Sequence, residues 1–225
     1  MNTTEIRDAS VSDRLRAADW YFDFISPFAY LQLKALAPVR AQLLLRPRPI
    51  LFAALLDHYG HKGPAEIAQK RRFSYRFVQW QADRAGIALR FPPAHPFNPL
   101  AALRLAIAGG NDWALIEAIF ERIWTQGLAA EHAADLADIA ARFGIADVDA
   151  AVADATVKST LRSTTDSAIA AGIFGVPTVA IDGELFWGQD ATPMLLDYLG
   201  DASIFASASM QRIDALPAAV VRKRT

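Results

Sequence analysis

The sequence contains no cysteine among its 225 residues. Disulfide bonds, cysteine–zinc sites and thiol catalysis by the chain itself are therefore excluded. Any sulfur chemistry at this protein has to use a thiol that arrives with a ligand.

An excess of one charge and long apolar runs are lacking as well. The 23 Lys and Arg residues are balanced by 24 Asp and Glu residues, so no overall basic field favours nucleic acid or an anionic membrane as a partner. No run approaches the roughly 20 apolar residues of a transmembrane helix, and the polar N-terminal stretch has no apolar signal-peptide core. We expect a soluble, cytoplasmic protein.

Familiar catalytic and metal-binding motifs are also absent. The sequence has no HExxH, no P-loop, no GxGxxG after a strand and no zinc-ligand spacing. His58 and His61 lie three residues apart, but no third ligand has a matching spacing. We predict no metal site.

Two α/β pieces flank a long helical block. Residues 19–51 are predicted to form a strand, a helix and a strand, and residues 172–200 two short strands followed by a helix. Residues 52–171 carry apolar side chains at helical spacing between turn signals. This order predicts an α/β, thioredoxin-like fold with a large inserted all-helical subdomain, with a flexible leader over 1–18 and a C-terminal tail over 201–225.

The first α/β piece contains several prolines with structural meaning. An aromatic-rich strand is predicted from Trp20 to Ile25, and Pro38 is expected to end or kink the helix that follows. The next strand begins at Leu43 and is expected to be broken by Pro47 and Pro49. Because the crossover between the strands is as long as a helix, the two strands should be parallel.

The leading catalytic candidate is Ser26, at the junction of the first strand and its helix. Ser26 suits the N-cap and Pro27 the first helical turn. An anion at this position, including a thiolate, is stabilised by unpaired backbone N–H groups and by the helix dipole. A plain N-cap is the alternative. No Gly-x-Ser-x-Gly surrounds Ser26, so a self-activated serine hydrolase is disfavoured.

Two later segments could complete a ligand site. A cis Val176–Pro177 bond would turn the backbone groups of Val176 outward, where a peptide-like ligand could pair with them; a tight entry turn is the alternative. Gln189 and Asp190 precede the last helix, where Asp is a routine cap but could instead hold a ligand ammonium. Trp187 is interpreted as core or pocket wall.

Basic residues are concentrated between His58 and Arg72. They form a solvated helix face or, in a pocket, a site for ligand carboxylates. His95 and His132 are interpreted as loop and helix-start residues.

Four patterns in this order resemble the 2-hydroxychromene-2-carboxylate isomerases, in the DsbA-like thioredoxin superfamily beside the kappa-class glutathione transferases. They are "YFDFISPFAYL", "GHKGPAEIAQKRRF", "FPPAHPFNPLAALRLA" and "FGVPTVAIDGELFWGQD". The resemblance implies a glutathione-dependent, usually dimeric enzyme that interconverts 2-hydroxychromene-2-carboxylate and trans-o-hydroxybenzylidenepyruvate in bacterial aromatic catabolism.

The resemblance also implies the site residues. Ser26 would touch the glutathione sulfur, and the rest of the glutathione or substrate pocket would include Pro27, Phe28, His61, Lys70, Val176, Pro177, Gln189 and Asp190. His61 stands where the family often has asparagine, and Ala191 follows Asp190 where the family has arginine. A kappa-like transferase or peroxidase and a non-catalytic peptide-binding module are the alternatives. The absence of cysteine excludes a disulfide oxidoreductase unless glutathione supplies both thiols.

Overall fold

The computed structural model describes residues 15–220. Four strands form one sheet; they are β1 (Arg16–Phe22), β2 (Leu43–Pro49), β3 (Thr178–Ile181) and β4 (Glu184–Trp187). Their order across the sheet is β2-β1-β3-β4, with β1 and β2 parallel and the other two pairs antiparallel. The predicted parallel pair is confirmed, and so is the α/β, thioredoxin-like fold.

Eleven α-helices occur within the described range. They are α1 (Pro27–Ala35), α2 (Ala37–Arg40), α3 (Phe52–Tyr59), α4 (Ala68–Ala85), α5 (Leu100–Ala108), α6 (Trp113–Phe120), α7 (Ala137–Arg142), α8 (Val148–Ala153), α9 (Ala155–Ala170), α10 (Thr192–Gly200) and α11 (Ala208–Asp214). Helices α3 to α9 lie between β2 and β3 in the chain, where the helical block was predicted.

The first strand lies earlier in the chain than the sequence predicts. β1 begins at Arg16 because residues 16–18, assigned to the leader, pair with the start of β2. It ends at Phe22, and the residues up to Ile25 form a turn rather than the end of the strand. The rest of the predicted leader, residues 1–14, lies outside the described residues. So do residues 221–225 of the predicted tail, whose described part contains α11.

The prediction that Pro47 and Pro49 break the second strand is wrong. β2 runs through both residues and lies at the edge of the sheet, with β1 as its partner. The backbone N–H of Ile50 donates to the carbonyl of Phe22 at 3.0 Å, so alternate residues before Ile50 face β1 and the two prolines face away. No strand of residues 15–220 lies on that side, so the missing N–H of each proline removes no hydrogen bond from the sheet.

The last two strands form the predicted hairpin. Asp182 and Gly183 form its two-residue turn, with φ of 51° and 88°. Positive φ at both positions is the type I′ geometry, which matches the twist of the flanking strands.

The sheet and the helical block share one core. Trp20 and Phe22 of β1 stack with ring centroids 4.4 Å apart, and Phe22 and Phe24 both pack against Phe120 of α6. Trp124, in the segment after α6, is fully buried in the same cluster. The helical block therefore supports the turn that follows β1.

Candidate active site

Strand directions bring three predicted segments to one end of the sheet. Tyr21, near the end of β1, pairs with Thr178 at the start of β3, and Thr178 pairs with Trp187 at the end of β4. The turn that leads to Ser26, the Val176–Pro177 segment and the Gln189–Asp190 segment therefore all emerge at this end.

Ser26 occupies the N-cap of α1, as predicted. Its Oγ accepts a hydrogen bond from the backbone N–H of Ala29 at 3.2 Å, and Pro27 occupies the first turn. The Ser26 side chain is nearly buried, with 8% of the residue exposed. Because the Ala29 bond uses an acceptor lone pair of Oγ, the hydroxyl proton of Ser26 can be donated to a ligand.

The first turn of α1 can also offer a backbone donor. Pro27 has no N–H, and the N–H of Ala29 is bonded to Ser26. Phe28 is therefore the first residue of α1 whose backbone N–H can meet an incoming anion. The positive end of the helix dipole adds to this attraction.

The Val176–Pro177 bond is cis. The segment packs against Trp187 through Phe174, and the 54% exposed fraction of Trp187 shows that it is not a core residue. A Cβ added to Gly175 would lie 2.5 Å from Nε1 of Trp187. This close approach explains why residue 175, two positions before the cis proline, is a glycine.

Gln32 of α1 joins the third segment to the helix that carries Ser26. Its side-chain amide donates to the carbonyl of Gly188 at 3.0 Å, and its Oε1 accepts from the indole of Trp20 at 2.8 Å. The N–H of Gly188 donates in turn to the carbonyl of Pro177 at 2.8 Å. These bonds fix the relative positions of α1, Pro177 and the segment that starts at Gln189.

Gln189 and Asp190 lie in a short 3-10 turn, Gln189–Ala191. The interpretation of Asp190 as a cap of the last helix is wrong, because Ala191 holds the N-cap position of α10 and no side chain caps it. Oε1 of Gln189 is buried and has no hydrogen-bond partner among the described residues. A buried acceptor of this kind suits the N–H of a ligand.

His61 and Lys70 are not joined to the other predicted site residues by any contact described above. Both are exposed, His61 after α3 and Lys70 in the first turns of α4. His61 packs against the ring of Tyr59. Within residues 15–220, no hydrogen bond or ion pair joins either side chain to Ser26. The structure therefore brings Ser26, Pro177 and Gln189 together but leaves these two basic residues at the surface.

The sequence analysis missed Asp23 as a part of the site. This residue is fully buried, and its carboxylate accepts from the N–H of Ile25 at 3.1 Å and from the N–H of Phe52 at 2.9 Å. Burial raises the pKa of Asp23 to about 7, against the lowering effect of backbone donors including Phe52 and Ile25. The only sign of Asp23 in the sequence was a single acidic residue inside the aromatic stretch that was predicted as a strand.

His95 was also missed, since a histidine in a proline-rich loop gives no hint of its partners. Its Nε2 lies 2.8 Å from the carbonyl oxygen of Ile25, the residue before Ser26. The helical block thus reaches the Ser26 turn through a titratable side chain.

An aromatic row leads away from the start of α1 along α4. Phe28 contacts Phe77, with ring centroids 6.3 Å apart, and Phe77 stacks between Phe73 and Trp80. Phe73 is 66% exposed and Trp80 53% exposed. This row offers a flat apolar surface that starts two residues from Ser26.

An open cleft also lies along α4 and shares Trp80 with the aromatic row. It has a volume of about 390 Å³ and is lined by residues that include Tyr75, Trp80 and Phe91. None of the predicted site residues lines it. Among residues 15–220, no group of three or more His, Asp or Glu side chains could hold a metal, and no helix there is both long and apolar enough to cross a membrane.

Comparison with known proteins gives relatives of two named kinds. The chain is 29% identical over 195 residues to a 2-hydroxychromene-2-carboxylate isomerase of Sphingobium xenophagum, covering 83% of this chain and 99% of the relative. It is 26% identical over 208 residues to glutathione S-transferase kappa 2 of Caenorhabditis elegans, covering 83% and 92%. The predicted resemblance to both groups is confirmed.

A solved structure of a 2-hydroxychromene-2-carboxylate isomerase shares the fold. It superposes with a TM-score of 0.72 at 23% identity, covering 89% of this chain and 100% of that one. The profile of the DSBA-like thioredoxin domain matches residues 18–200. The chain therefore belongs to the DSBA-like thioredoxin domain family.

Proposed function

We propose that this protein is a glutathione-dependent isomerase that interconverts 2-hydroxychromene-2-carboxylate and trans-o-hydroxybenzylidenepyruvate, or a related substrate of aromatic catabolism. The relatives named as isomerases and as a glutathione transferase support this proposal. The observation that carries it is the state of Ser26: its Oγ accepts from Ala29, so the hydroxyl can donate to a thiolate at the start of α1.

The residues at this end of the sheet fit glutathione. Ser26 and the N–H of Phe28 would hold the sulfur, and the backbone of Val176 beside Pro177 would pair with the peptide portion. Gln189 Oε1, a buried acceptor, would receive an N–H of the γ-glutamyl ammonium, with the carboxylate of Asp190 as its counter-charge. When bound, glutathione would supply a thiolate nucleophile, which a chain without cysteine cannot supply itself.

The chain's own contribution is to hold and stabilise that anion. The hydroxyl of Ser26 donates to the sulfur, and the α1 dipole lowers the free energy of the charged form. The partly buried position of Ser26 limits competition from water, which strengthens both effects.

The aromatic row suits the second substrate. Phe28 and Phe77 lie beside the sulfur position and can stack on an unsaturated aromatic ring. Lys70 precedes Phe73 by three residues and so lies on the same face of α4, where it would attract a substrate carboxylate. His61 is the other basic residue that we assign to ligand carboxylates.

A kappa-like transferase or peroxidase is the second candidate. The relative named glutathione S-transferase kappa 2 covers the chain to the same extent as the isomerase does. The same Ser26 site would serve either reaction, because both begin with a stabilised thiolate. Turnover of chromene carboxylate against a panel of electrophiles separates the two. A homodimer, which the family resemblance implies, is part of this proposal.

The test of the proposal is turnover by Ser26→Ala. We expect kcat to fall by about 100-fold, since the loss of one donor to a developing or bound anion typically has an effect of this size. Stability should fall by about 1 kcal/mol, because an N-cap is lost.

Asp154→Ala is the matched control. Asp154 caps α9 by accepting from the N–H of Val157 at 2.9 Å, and it lies on the surface. Its loss should lower stability similarly and leave kcat unchanged. Unchanged kcat in Ser26→Ala would remove Ser26 from the mechanism.

A further inference from the structure

Two aromatic ring donors from the helical block hold the peptide carbonyls that precede Ser26. The indole N–H of Trp124 donates to the carbonyl of Phe24 at 2.9 Å, and Nε2 of His95 lies 2.8 Å from the carbonyl of Ile25. A carbonyl oxygen can only accept a hydrogen bond, so Nε2 of His95 carries a proton.

The other nitrogen of His95 faces Tyr75 of α4. The hydroxyl of Tyr75 lies 2.5 Å from Nδ1 and 2.8 Å from the backbone carbonyl of His95 itself. With the His95 proton on Nε2, Nδ1 can only accept, so the single hydroxyl proton of Tyr75 is shared between Nδ1 and that carbonyl. The rings of Phe97 and Trp124 meet the imidazole edge-on. Burial lowers the pKa of His95, which favours the neutral ring, and the Ile25 carbonyl places the proton of that neutral ring on Nε2.

These contacts fix the peptide group between Ile25 and Ser26 at both ends. His95 holds the carbonyl of this peptide group, which belongs to Ile25. The N–H of the same group belongs to Ser26 and donates to the carbonyl of Asp23 at 3.1 Å. A peptide group is planar, so fixing this plane fixes the positions of N and Cα of Ser26, from which the side chain starts. The cap to Ala29 then completes its orientation.

We propose that His95 is a positioning residue for the Ser26 site and that Tyr75 fixes the tautomer and orientation of His95. His95 acts through the Ile25–Ser26 peptide rather than on a ligand, because both of its ring nitrogens already have partners within the protein. The effect of His95 on a bound thiolate rests on the function proposed above, whereas its effect on the Ser26 turn does not.

The experiment compares His95→Gln, His95→Leu and Tyr75→Phe in the full chain. Glutamine keeps an N–H that can reach the Ile25 carbonyl, and leucine removes it at similar volume. Hydrogen–deuterium exchange of the segment spanning residues 24–31 is measured without ligand, with the β3–β4 hairpin as an internal reference. The thiol pKa of bound glutathione is then measured from the ultraviolet absorbance of the thiolate.

In His95→Leu we expect exchange at residues 24–31 to be faster by roughly tenfold, with the β3–β4 hairpin unchanged. The thiol pKa of bound glutathione should move back toward the free value of about 8.5. His95→Gln should restore most of both properties, and Tyr75→Phe should give an intermediate result.

Equal exchange in wild type and His95→Leu, or equal loss in the leucine and glutamine variants, would overturn the positioning role. If wild type fails to bind glutathione, the proposed function fails, but the exchange comparison still decides the role of His95. If glutathione binds with the same thiol pKa in every variant while exchange differs, His95 orders the turn without serving the thiolate, which also contradicts the proposal.

Discussion

Ser26 and Asp23 lie three residues apart and do different things for the same turn. The carbonyl of Asp23 accepts from the N–H of Ser26, and its carboxylate joins the turn to the start of α3 through Phe52. Leu51 at the N-cap of α3 has no capping side chain, so the Asp23 carboxylate replaces one. One buried acid therefore ties together the first two helices that emerge at the site.

This buried acid should make stability depend on pH. The pKa of Asp23 is about 7 in the folded protein and 3.8 ordinarily, so the folded state keeps a proton that the unfolded state has lost. Its contribution to stability is full below about pH 4 and is lost as pH rises through 7, by up to roughly 4 kcal/mol. Urea unfolding at pH 5 and pH 8 measures the change.

Asp23→Asn is the control for that measurement, because it cannot titrate. The variant should be less stable at pH 5, since its amide nitrogen meets a backbone N–H where a carboxyl oxygen accepted one. The fall in stability between pH 5 and pH 8 should be smaller in the variant than in wild type. An equal fall in both would show that other groups cause it.

Among the site residues, the sequence identified those that are marked by a local sequence pattern. Ser26 followed by Pro27 after a strand is a local N-cap pattern, and the structure shows that cap. Asp23, Gln32 and His95 act through partners that lie far away in the chain, such as Gly188 at 3.0 Å from Gln32. No spacing in one sequence encodes those pairs.

Among the elements, the segment before β3 depends on close packing. Gly175 leaves room for the indole of Trp187, which in turn stacks edge-on with Phe174. Gly188, at the end of β4, has a φ of 93°, which few residues other than glycine adopt. The two glycines allow the Pro177 segment and the Gln189 turn to approach each other.

Gly175→Ala should therefore disturb the site without breaking the fold. The added Cβ would lie 2.5 Å from Trp187 Nε1, so either the indole rotates or the segment shifts. We expect glutathione to bind about tenfold more weakly, equivalent to about 1.4 kcal/mol. Titration calorimetry measures this difference.

Gly200→Ala provides the comparison at the end of α10. A Cβ there meets no atom within 4 Å, so glutathione affinity should not change. If both alanine variants bind as tightly as wild type, the close approach at Gly175 has no role in the site.

The bounds of helices and strands were predicted correctly where a local sequence pattern determines them. They were predicted wrongly where a neighbouring strand determines them. The hairpin turn at Asp182 and the helix end at Gly86 follow from turn and cap chemistry. The expected break of β2 at Pro47 was wrong, since a single sequence does not say which strand lies at a sheet edge. The start of β1 was predicted too late for the same reason. Its first residues form a strand because they pair with β2, and their own sequence has no strand pattern.

Across the whole molecule, parts distant in the chain share one core. The C-terminal region adds to it, because Phe205 stacks on Phe186 of β4 and on Tyr198 of α10 at centroid distances of 6.0 and 5.5 Å. Residues after Gly200 were predicted only as a tail, but the short turn Ala202–Ala206 covers the sheet.

Phe205→Ala should lower the free energy of unfolding by about 2 kcal/mol. This is less than the ~3–5 kcal/mol for a fully buried phenylalanine, because Phe205 is only half-buried. Leu216→Ala is the control, since Leu216 is 68% exposed and should change stability little. Equal stability of the two variants would show that the C-terminal turn is not part of the core.

We propose that the α1 end of the molecule binds glutathione as its thiolate. Calorimetric titration at pH 7 in two buffers of different ionisation enthalpy measures the protons released when glutathione binds. S-methylglutathione, which has no thiol proton, is the matched ligand. We predict that glutathione binds at millimolar concentration or below with release of up to one proton, and that S-methylglutathione releases none by this route. Absence of binding at millimolar glutathione, or equal proton release by the two ligands, would contradict thiolate binding at the start of α1.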